Sequence, residues 1–115
     1  MKIKVSEATP IQVNWLVAKC ESLCLGTDPF GLAPIIAAPI FVQNYKPSTD
    51  WAQGGPIIER EFIRIQPESP YWEADTYTDA GDCFTGVGPT PLIAAMRCYV
   101  ASRLGDEVDI PDDLT

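Results

Sequence analysis

Thr90-Pro-Leu-Ile-Ala-Ala-Met-Arg-Cys-Tyr-Val-Ala-Ser-Arg-Leu-Gly105 predicts the main helix of this chain. Thr90 can cap the first turn, Pro91 suits the first helical position and Gly105 stops the helix, which is expected over residues 91–104. Its broad apolar face is formed by Leu92, Ile93, Met96, Tyr99, Val100 and Leu104. The other face carries small side chains beside Arg97, namely Ala94, Cys98 and Ala101. Small residues there permit the close approach of another element.

A second start signal, Thr9-Pro-Ile-Gln12, predicts a capping box and a helix from Pro10 to about Leu23, with a stop near Gly26. This helix has two apolar stripes on nearly opposite faces. One stripe is Val13, Leu16, Val17, Cys20 and Cys24, and the other is Ile11, Trp15 and Ala18. One stripe must meet the sheet. The other meets either the proline-rich segment 26–39, which the sequence favours, or a second copy of the chain in a homodimer.

Short stretches with a strand pattern predict the strands of a sheet. These stretches are Met1–Val5, Ile40–Val42, Phe62–Gln66, Tyr71–Tyr77 and the region of Val108 and Ile110. Residues 67–70 are expected to be a hairpin turn and residues 78–88 a loop. The elements do not alternate as βαβ units. We therefore predict an α+β fold, with two main helices packed on a small, mostly antiparallel sheet of three to five strands. The 115 residues fit a single domain whose last few residues are loose.

The composition narrows the classes of partner. Sixteen acidic and eight basic residues give a net charge of −8, and no basic cluster exists to bind nucleic acid. The acidic surface either meets a basic host protein or only aids solubility. The longest apolar run, Leu32–Val42, is broken by two prolines and is too short to span a bilayer. Because the start of the chain carries no apolar signal segment, we expect a cytoplasmic protein with reduced thiols.

The four cysteines do not predict a metal centre. Cys20 and Cys24 are one helical turn apart, but Cys83 and Cys98 are spaced irregularly and the chain has no histidine. Core packing is the favoured role for the thiols. The absence of histidine also removes the commonest general base, and no nucleophile motif is present. We therefore predict no catalytic residue, no metal and no cofactor.

One segment carries more polar variety than folding requires: Tyr45-Lys-Pro-Ser-Thr-Asp-Trp-Ala-Gln-Gly-Gly-Pro-Ile-Ile-Glu-Arg-Glu61. Within it, a Ser-capped short helix is expected to end at the glycine pair, and Pro56 starts another turn. Aromatic rings can stack on a ligand, polar groups can bond its edge and the arginine can hold an anion. The predicted ligand is small and polar or nucleotide-like, and the candidate ligand-binding residues are Tyr45, Ser48, Thr49, Asp50, Trp51, Gln53, Gly54, Gly55 and Arg60. The alternative is a purely structural turn around a buried indole, with an Asp50–Arg60 or Glu59–Arg60 ion pair.

Three blocks of the sequence resemble a known family: Met1–Glu7 with Trp15–Cys20, Pro47–Glu61, and Gly88–Ser102 with Leu104–Val108. The family consists of small proteins of tailed bacteriophages and prophages and is labelled NinX-like. The resemblance implies a phage or prophage origin and the bacterial cytoplasm as location. It brings no established activity, so it assigns no role to any residue. The alternative function is that of an acidic protein that binds and modulates a host protein, with the acidic residues 106–113 as a contact.

Overall fold

The computed structural model describes residues 1–21, 45–110 and 112. Its elements, in chain order, are β1 (Lys2–Lys4), a 3₁₀ turn (Val5–Glu7), α1 (Pro10–Cys20), α2 (Trp51–Arg60), β2 (Arg64–Glu68), β3 (Tyr71–Tyr77), β4 (Cys83–Gly88), α3 (Pro91–Leu104) and β5 (Glu107–Asp109). The described part thus has three α-helices and two antiparallel sheets, one with the order β1–β5 and one with the order β2–β3–β4. The α+β prediction is confirmed. The strands, however, form two sheets instead of one, and α2 adds a third helix.

Helix α3 lies at the centre of the core and rests on the sheet through its small-residue face. A Cβ on Gly86 of β4 would come within 2.3 Å of the Ala94 carbonyl oxygen and 2.4 Å of the Cys98 nitrogen. The Cys98 thiol donates to the Phe84 carbonyl at 3.3 Å. The helix bounds Pro91–Leu104 and the Thr90 cap, whose Oγ1 accepts from the Ile93 nitrogen at 3.2 Å, are as predicted. The small side chains of α3 therefore serve the close helix–sheet contact that the sequence indicated.

Helix α1 begins as predicted and is buried on two sides. Thr9 Oγ1 accepts from the Gln12 nitrogen, and Gln12 Oε1 accepts from the Thr9 nitrogen, which is the capping box. Both apolar stripes contribute buried residues, which are Val13, Leu16 and Val17 from one and Trp15 and Ala18 from the other. Ile11 is the exception, with 53% of its surface exposed. The helix ends at Cys20. The predicted continuation to Leu23, Cys24, the proline-rich cover and the strand at Ile40–Val42 lie outside the described residues.

Two predictions in the three-stranded sheet are wrong. Residues 83–88 form β4 instead of continuing the predicted loop. Their glycines suggested a loop, but Gly86 and Gly88 are needed because α3 passes so close that side chains would clash. Strand β2 starts at Arg64, two residues later than predicted, and continues through Pro67, which pairs with Trp72. Proline is tolerated there because β2 is an edge strand. The turn itself is Ser69–Pro70, joined by a cis peptide bond.

The two-stranded sheet joins the ends of the described chain. Ile3 of β1 pairs with Val108 of β5, and the Met1 ammonium donates to the Ile110 carbonyl at 2.8 Å. The predicted strands at both ends are therefore confirmed, over three residues each. Among the described residues, no helix is both long and apolar enough to cross a membrane.

Candidate functional site

Helix α2 runs through the glycine pair of the predicted recognition segment. Asp50, not Ser48, is its N-cap: Asp50 Oδ1 accepts from the Ala52 nitrogen at 3.0 Å, and Oδ2 accepts from Gln53 Nε2 at 3.0 Å. The predictions that Ser48 caps this helix, that Gly54-Gly55 ends it and that Pro56 starts another turn are therefore wrong. The glycines and the proline are poor helix formers, but packing against the core overrides their local preference.

The inner face of α2 binds the rest of the domain closely. Ser48 is almost fully buried, and its amide and hydroxyl both reach Asn14 Oδ1, at 3.0 and 2.7 Å. A Cβ on Gly54 would lie 2.3 Å from the Pro47 carbonyl oxygen and 2.6 Å from Leu92 Cδ1. Ser48 and Gly54, both predicted to bind a ligand, thus hold α2 against α1 and α3.

Two more of the predicted ligand-binding residues stabilise the turn before α2. Gln53 Oε1 accepts from the Lys46 nitrogen at 2.7 Å, in addition to the bond from its amide group to Asp50. The Thr49 nitrogen donates to the Lys46 carbonyl at 3.1 Å, while the Thr49 side chain is exposed. Tyr45 is half-buried, and this burial, reinforced by the charge of Glu21, raises the pKa of its phenol to about 12.

The outer face of α2 is open. The Trp51 indole is 53% exposed, so the indole is not buried as the structural alternative required. Four residues on, a Cβ added to Gly55 would meet no other element of the fold within 4 Å. Arg60 lies at the opposite end of α2, about 14 Å from Trp51 along the helix axis. These two side chains therefore do not converge on one small group, and the nine candidate residues divide between the turn before α2, its inner face, its outer face and its end.

Arg60 belongs to a cluster of charged groups around a buried tyrosine. Its Nη1 and Nη2 hold Glu21 at 2.8 and 2.6 Å, and its Nε holds Glu61 at 2.8 Å. Arg103 Nη2 reaches the other Glu61 oxygen at 2.9 Å, and the Tyr99 hydroxyl donates to Glu21. The Arg60 and Arg103 guanidinium carbons lie 5.8 and 5.3 Å from the Tyr99 ring centre. The cluster fixes the end of α2 to α1 and α3.

The proximity of these charges lowers the pKa values of the two carboxyl groups in the cluster. Hydrogen bonds from Arg60 lower the pKa of Glu21 despite its partial burial. Burial raises the pKa of Glu61, but hydrogen bonds from Arg60 and Arg103 outweigh it and leave the pKa lowered. The predicted Asp50–Arg60 and Glu59–Arg60 pairs are wrong, because Arg60 turns towards Glu21 and Glu61 instead.

Phe62 ends α2 in an unusual conformation. Its φ of 54° is left-handed, its nitrogen donates to the Glu59 carbonyl at 3.4 Å, and the Ile63 nitrogen donates to the Ile58 carbonyl at 3.1 Å. This is the Schellman pattern, in which the left-handed position is usually glycine. Phe62 is also 88% exposed. The sequence interpretation missed this residue because it assigned Phe62 to the following strand.

A hollow of about 490 Å³ opens beside Phe62, where the ends of α2, β3 and α3 meet. Its lining consists of Arg60, Glu61, Phe62, residues 76–79, Ser102 and Arg103. Tyr77, at the end of β3, is 64% exposed. The Thr76 hydroxyl is bonded to the Glu61 carbonyl at 3.0 Å and the Ser102 hydroxyl to the Tyr99 carbonyl at 2.7 Å. The hollow therefore presents aromatic and charged side chains, while these two hydroxyls are already bound.

The described thiols differ in chemical character. Burial is the main cause that raises the pKa of both Cys20 and Cys98 to about 12. Both thiols are therefore protonated near neutral pH and are poor nucleophiles. Cys83 is exposed on β4.

The sequence profile of the family described as Bacteriophage P22, NinX matches residues 4–103. The chain belongs to this NinX family. The predicted resemblance is thus confirmed, and the NinX-like chain is a phage accessory protein. The matched region includes α2, Phe62 and the whole Arg60 cluster, so the candidate surface is part of the NinX-like domain. A search of curated proteins gives no significant match.

Proposed function

We propose that this NinX-like protein acts by binding a host protein through the outer face of α2 and the turn that follows. We call this region the outer α2 surface and define it by Trp51, Gly55, Pro56, Glu59 and Phe62. Aromatic side chains are enriched in protein–protein interfaces, and here Trp51 and Phe62 stand at the two ends of one helix with 53% and 88% of their surfaces exposed.

The observation that carries the proposal is that residues on this surface destabilise the helix although they pack against no other element of the fold. Gly55 costs about 1 kcal/mol relative to alanine and precedes Pro56, whose ring disfavours a helical residue with a Cβ before it, while no other element of the fold comes within 4 Å of the Cβ position. Pro56 lies inside the helix and has no N–H to donate to the carbonyl four residues earlier. The left-handed Phe62 costs roughly a further 1–2 kcal/mol. Local rules that are broken without compensation are expected at functional sites.

The shape of the surface favours a protein as partner. Small-molecule sites are concave and enclose their ligand, whereas the outer α2 surface is the exposed side of a helix. The helical rise places its two aromatic anchors about 16 Å apart along the axis, which a second protein can span. Gly55, between them, allows the backbone of a partner to come close to α2.

A small polar or nucleotide-like ligand, bound by the predicted residues around Trp51, is the second candidate. Trp51 favours it, since an open indole beside the space at Gly55 can stack on a base. Isothermal titration and thermal-shift assays with nucleotides test this candidate. Stabilisation of the wild type that Trp51→Ala removes, with the variant still folded, would favour the small ligand over the host protein.

Site-specific photo-cross-linking in the bacterial host tests the main proposal. A benzophenone amino acid replaces Trp51, Phe62 or, as control, Tyr71, which is 41% exposed at the far end of β3. We expect the same host-protein adduct from the first two positions and not from Tyr71. Equal adduct yields at all three positions, or none from Trp51 and Phe62, would refute the proposal.

Stability measurements on Phe62 separate a binding role from a structural one. Phe62→Gly relieves the left-handed strain and removes an exposed ring, so we expect the free energy of unfolding to rise by about 1 kcal/mol. Phe62→Ala removes the same ring but keeps the strain, so it should stay close to wild type. If Phe62→Ala lowers the free energy of unfolding by more than about 1 kcal/mol, the ring is needed for folding and its exposure does not point to a partner.

A further inference from the structure

The hollow beside Phe62 carries two aromatic side chains that the fold leaves uncovered. Phe62 and Tyr77 are the two most exposed aromatic side chains in the described part of the chain, at 88% and 64%, and both line the hollow. Exposed aromatic rings that flank a depression are a common anchor for one side chain of a partner. The hollow therefore offers a place for a specific contact at the end of the outer α2 surface.

The positive charges at this hollow are already neutralised. Arg60 makes its ion pairs with Glu21 at 2.6 Å and with Glu61 at 2.8 Å. Arg103 shares Glu61, at 2.9 Å. Two guanidinium groups and two carboxylates thus balance, and the arginines add no net positive charge to the rim.

The remaining charge at the rim is negative, because Asp79 lines the hollow. Two more carboxylates belong to residues whose backbone is adjacent: the Asp82 backbone closes the same loop through hydrogen bonds with Thr78, and the Glu59 carbonyl accepts from the Phe62 nitrogen. Within residues 1–21, 45–110 and 112, none of these three carboxylates forms an ion pair. All three are exposed, in a chain with a net charge of −8. The excess of charge around the two rings is therefore acidic.

We propose that the Phe62 hollow is a docking site for a basic segment of the partner protein, in which an apolar residue adjoins a lysine or arginine. The apolar residue packs on the Phe62 ring. The cation lies against the Tyr77 ring and pairs with Asp79, an arrangement that combines cation–π attraction with an unpaired carboxylate. This inference rests on the proposed function and specifies the chemistry of its partner.

Labelled peptides of defined composition test the charge preference. Short peptides of alternating lysine and leucine, glutamate and leucine, or serine and leucine are titrated with the protein, and fluorescence anisotropy gives the Kd at low and high salt. The lysine peptide should bind most tightly, and added salt should weaken its binding. Stronger binding of the glutamate or serine peptide would overturn the proposal.

Matched charge variants separate a site from general attraction to an acidic protein. Asp79→Asn with Asp82→Asn should raise the Kd of the lysine peptide roughly fivefold. The control, Glu68→Gln with Glu107→Gln, removes the same charge from exposed positions elsewhere and should leave the Kd nearly unchanged. Equal weakening by both pairs would mean that only net charge is sensed, which overturns the docking site.

The aromatic contact has its own test. Phe62→Ala should raise the Kd of the lysine peptide roughly tenfold, since anchors of this kind contribute much of the binding energy. In the wild type, the amide NMR signals of Thr78 and Arg103 should shift when this peptide binds, which requires no variant to fold. An unchanged Kd for Phe62→Ala, or shifts confined to other regions, would refute the assignment.

The two proposals can fail separately. If the cross-links from α2 are position-specific but the protein shows no preference for the lysine peptide, the proposal of a host-protein partner stands and that of a basic segment is refuted. Failure of the cross-links together with absence of peptide binding would remove both proposals.

Discussion

The neighbouring glycines Gly54 and Gly55 provide a matched pair of substitutions with different expected effects. In Gly54→Ala the new Cβ would lie 2.3 Å from the Pro47 carbonyl oxygen and 2.6 Å from Leu92 Cδ1. Overpacking costs about 1–3 kcal/mol, and contact with backbone places this case near the upper end. The higher helix propensity of alanine offsets about 1 kcal/mol of this cost, so we expect the free energy of unfolding to fall by about 2 kcal/mol.

Gly55→Ala gains the same helix propensity without a clash against another element, but the ring of Pro56 disfavours the helical conformation for a residue with a Cβ before it. These two effects oppose each other, so we expect its stability to stay close to that of the wild type. The two variants should therefore differ by about 2 kcal/mol, although they add the same methyl group to adjacent positions. Urea denaturation followed by circular dichroism measures the difference, and an unchanged m-value shows that the same two states are compared.

A Gly54→Ala variant as stable as the wild type would refute this reasoning. So would a Gly55→Ala variant that loses as much stability as Gly54→Ala is expected to lose. Either result would mean that α2 does not pack through Gly54 while leaving Gly55 open. The pair thereby tests the orientation of the helix on which the outer α2 surface depends.

Three further predictions concern the cluster and the thiols. Tyr99→Phe should cost about 2 kcal/mol in urea denaturation, because it removes a buried donor to the charged Glu21; an unchanged stability would contradict the bond. The lowered pKa of Glu21 stabilises the fold above its unfolded value near 4.5, and this contribution is lost as the pH falls through the lower folded value. The wild type should therefore lose more stability than Glu21→Gln between pH 5 and about pH 3, and parallel curves would contradict this. Iodoacetamide at pH 8 should alkylate Cys83 well before Cys20 or Cys98, whose pKa values are raised to about 12, and peptide mass spectrometry would reveal any reversal.

Helix starts could be predicted from the sequence because their determinants are local. Thr9 and Thr90 bond amides three residues away, so four consecutive residues contain the whole signal. Strand β4 could not be predicted in this way. Gly86 and Gly88 indicate a loop until α3 is placed on top of them, and that contact joins residues distant in sequence.

The candidate segment shows the same limit. Its polar groups stand out in the sequence, but their partners are far along the chain: Ser48 bonds Asn14, 34 residues away, and Arg60 bonds Glu21, 39 residues away. No spacing rule connects such pairs. Phe62 was missed for a related reason, since only the backbone φ of 54° distinguishes it from an ordinary strand residue.

The contacts of Ser48 and Gly54 inside the fold also strengthen the case for the outer α2 surface. At its start, α2 is held by Ser48 on Asn14, and at its end by Arg60 on Glu21. A surface fixed at both ends loses little conformational entropy when a partner binds, so more of the contact energy appears as affinity. The exposed Trp51 and Phe62 therefore stand on a rigid support, and this arrangement suits recognition better than an equally exposed pair on a loose loop.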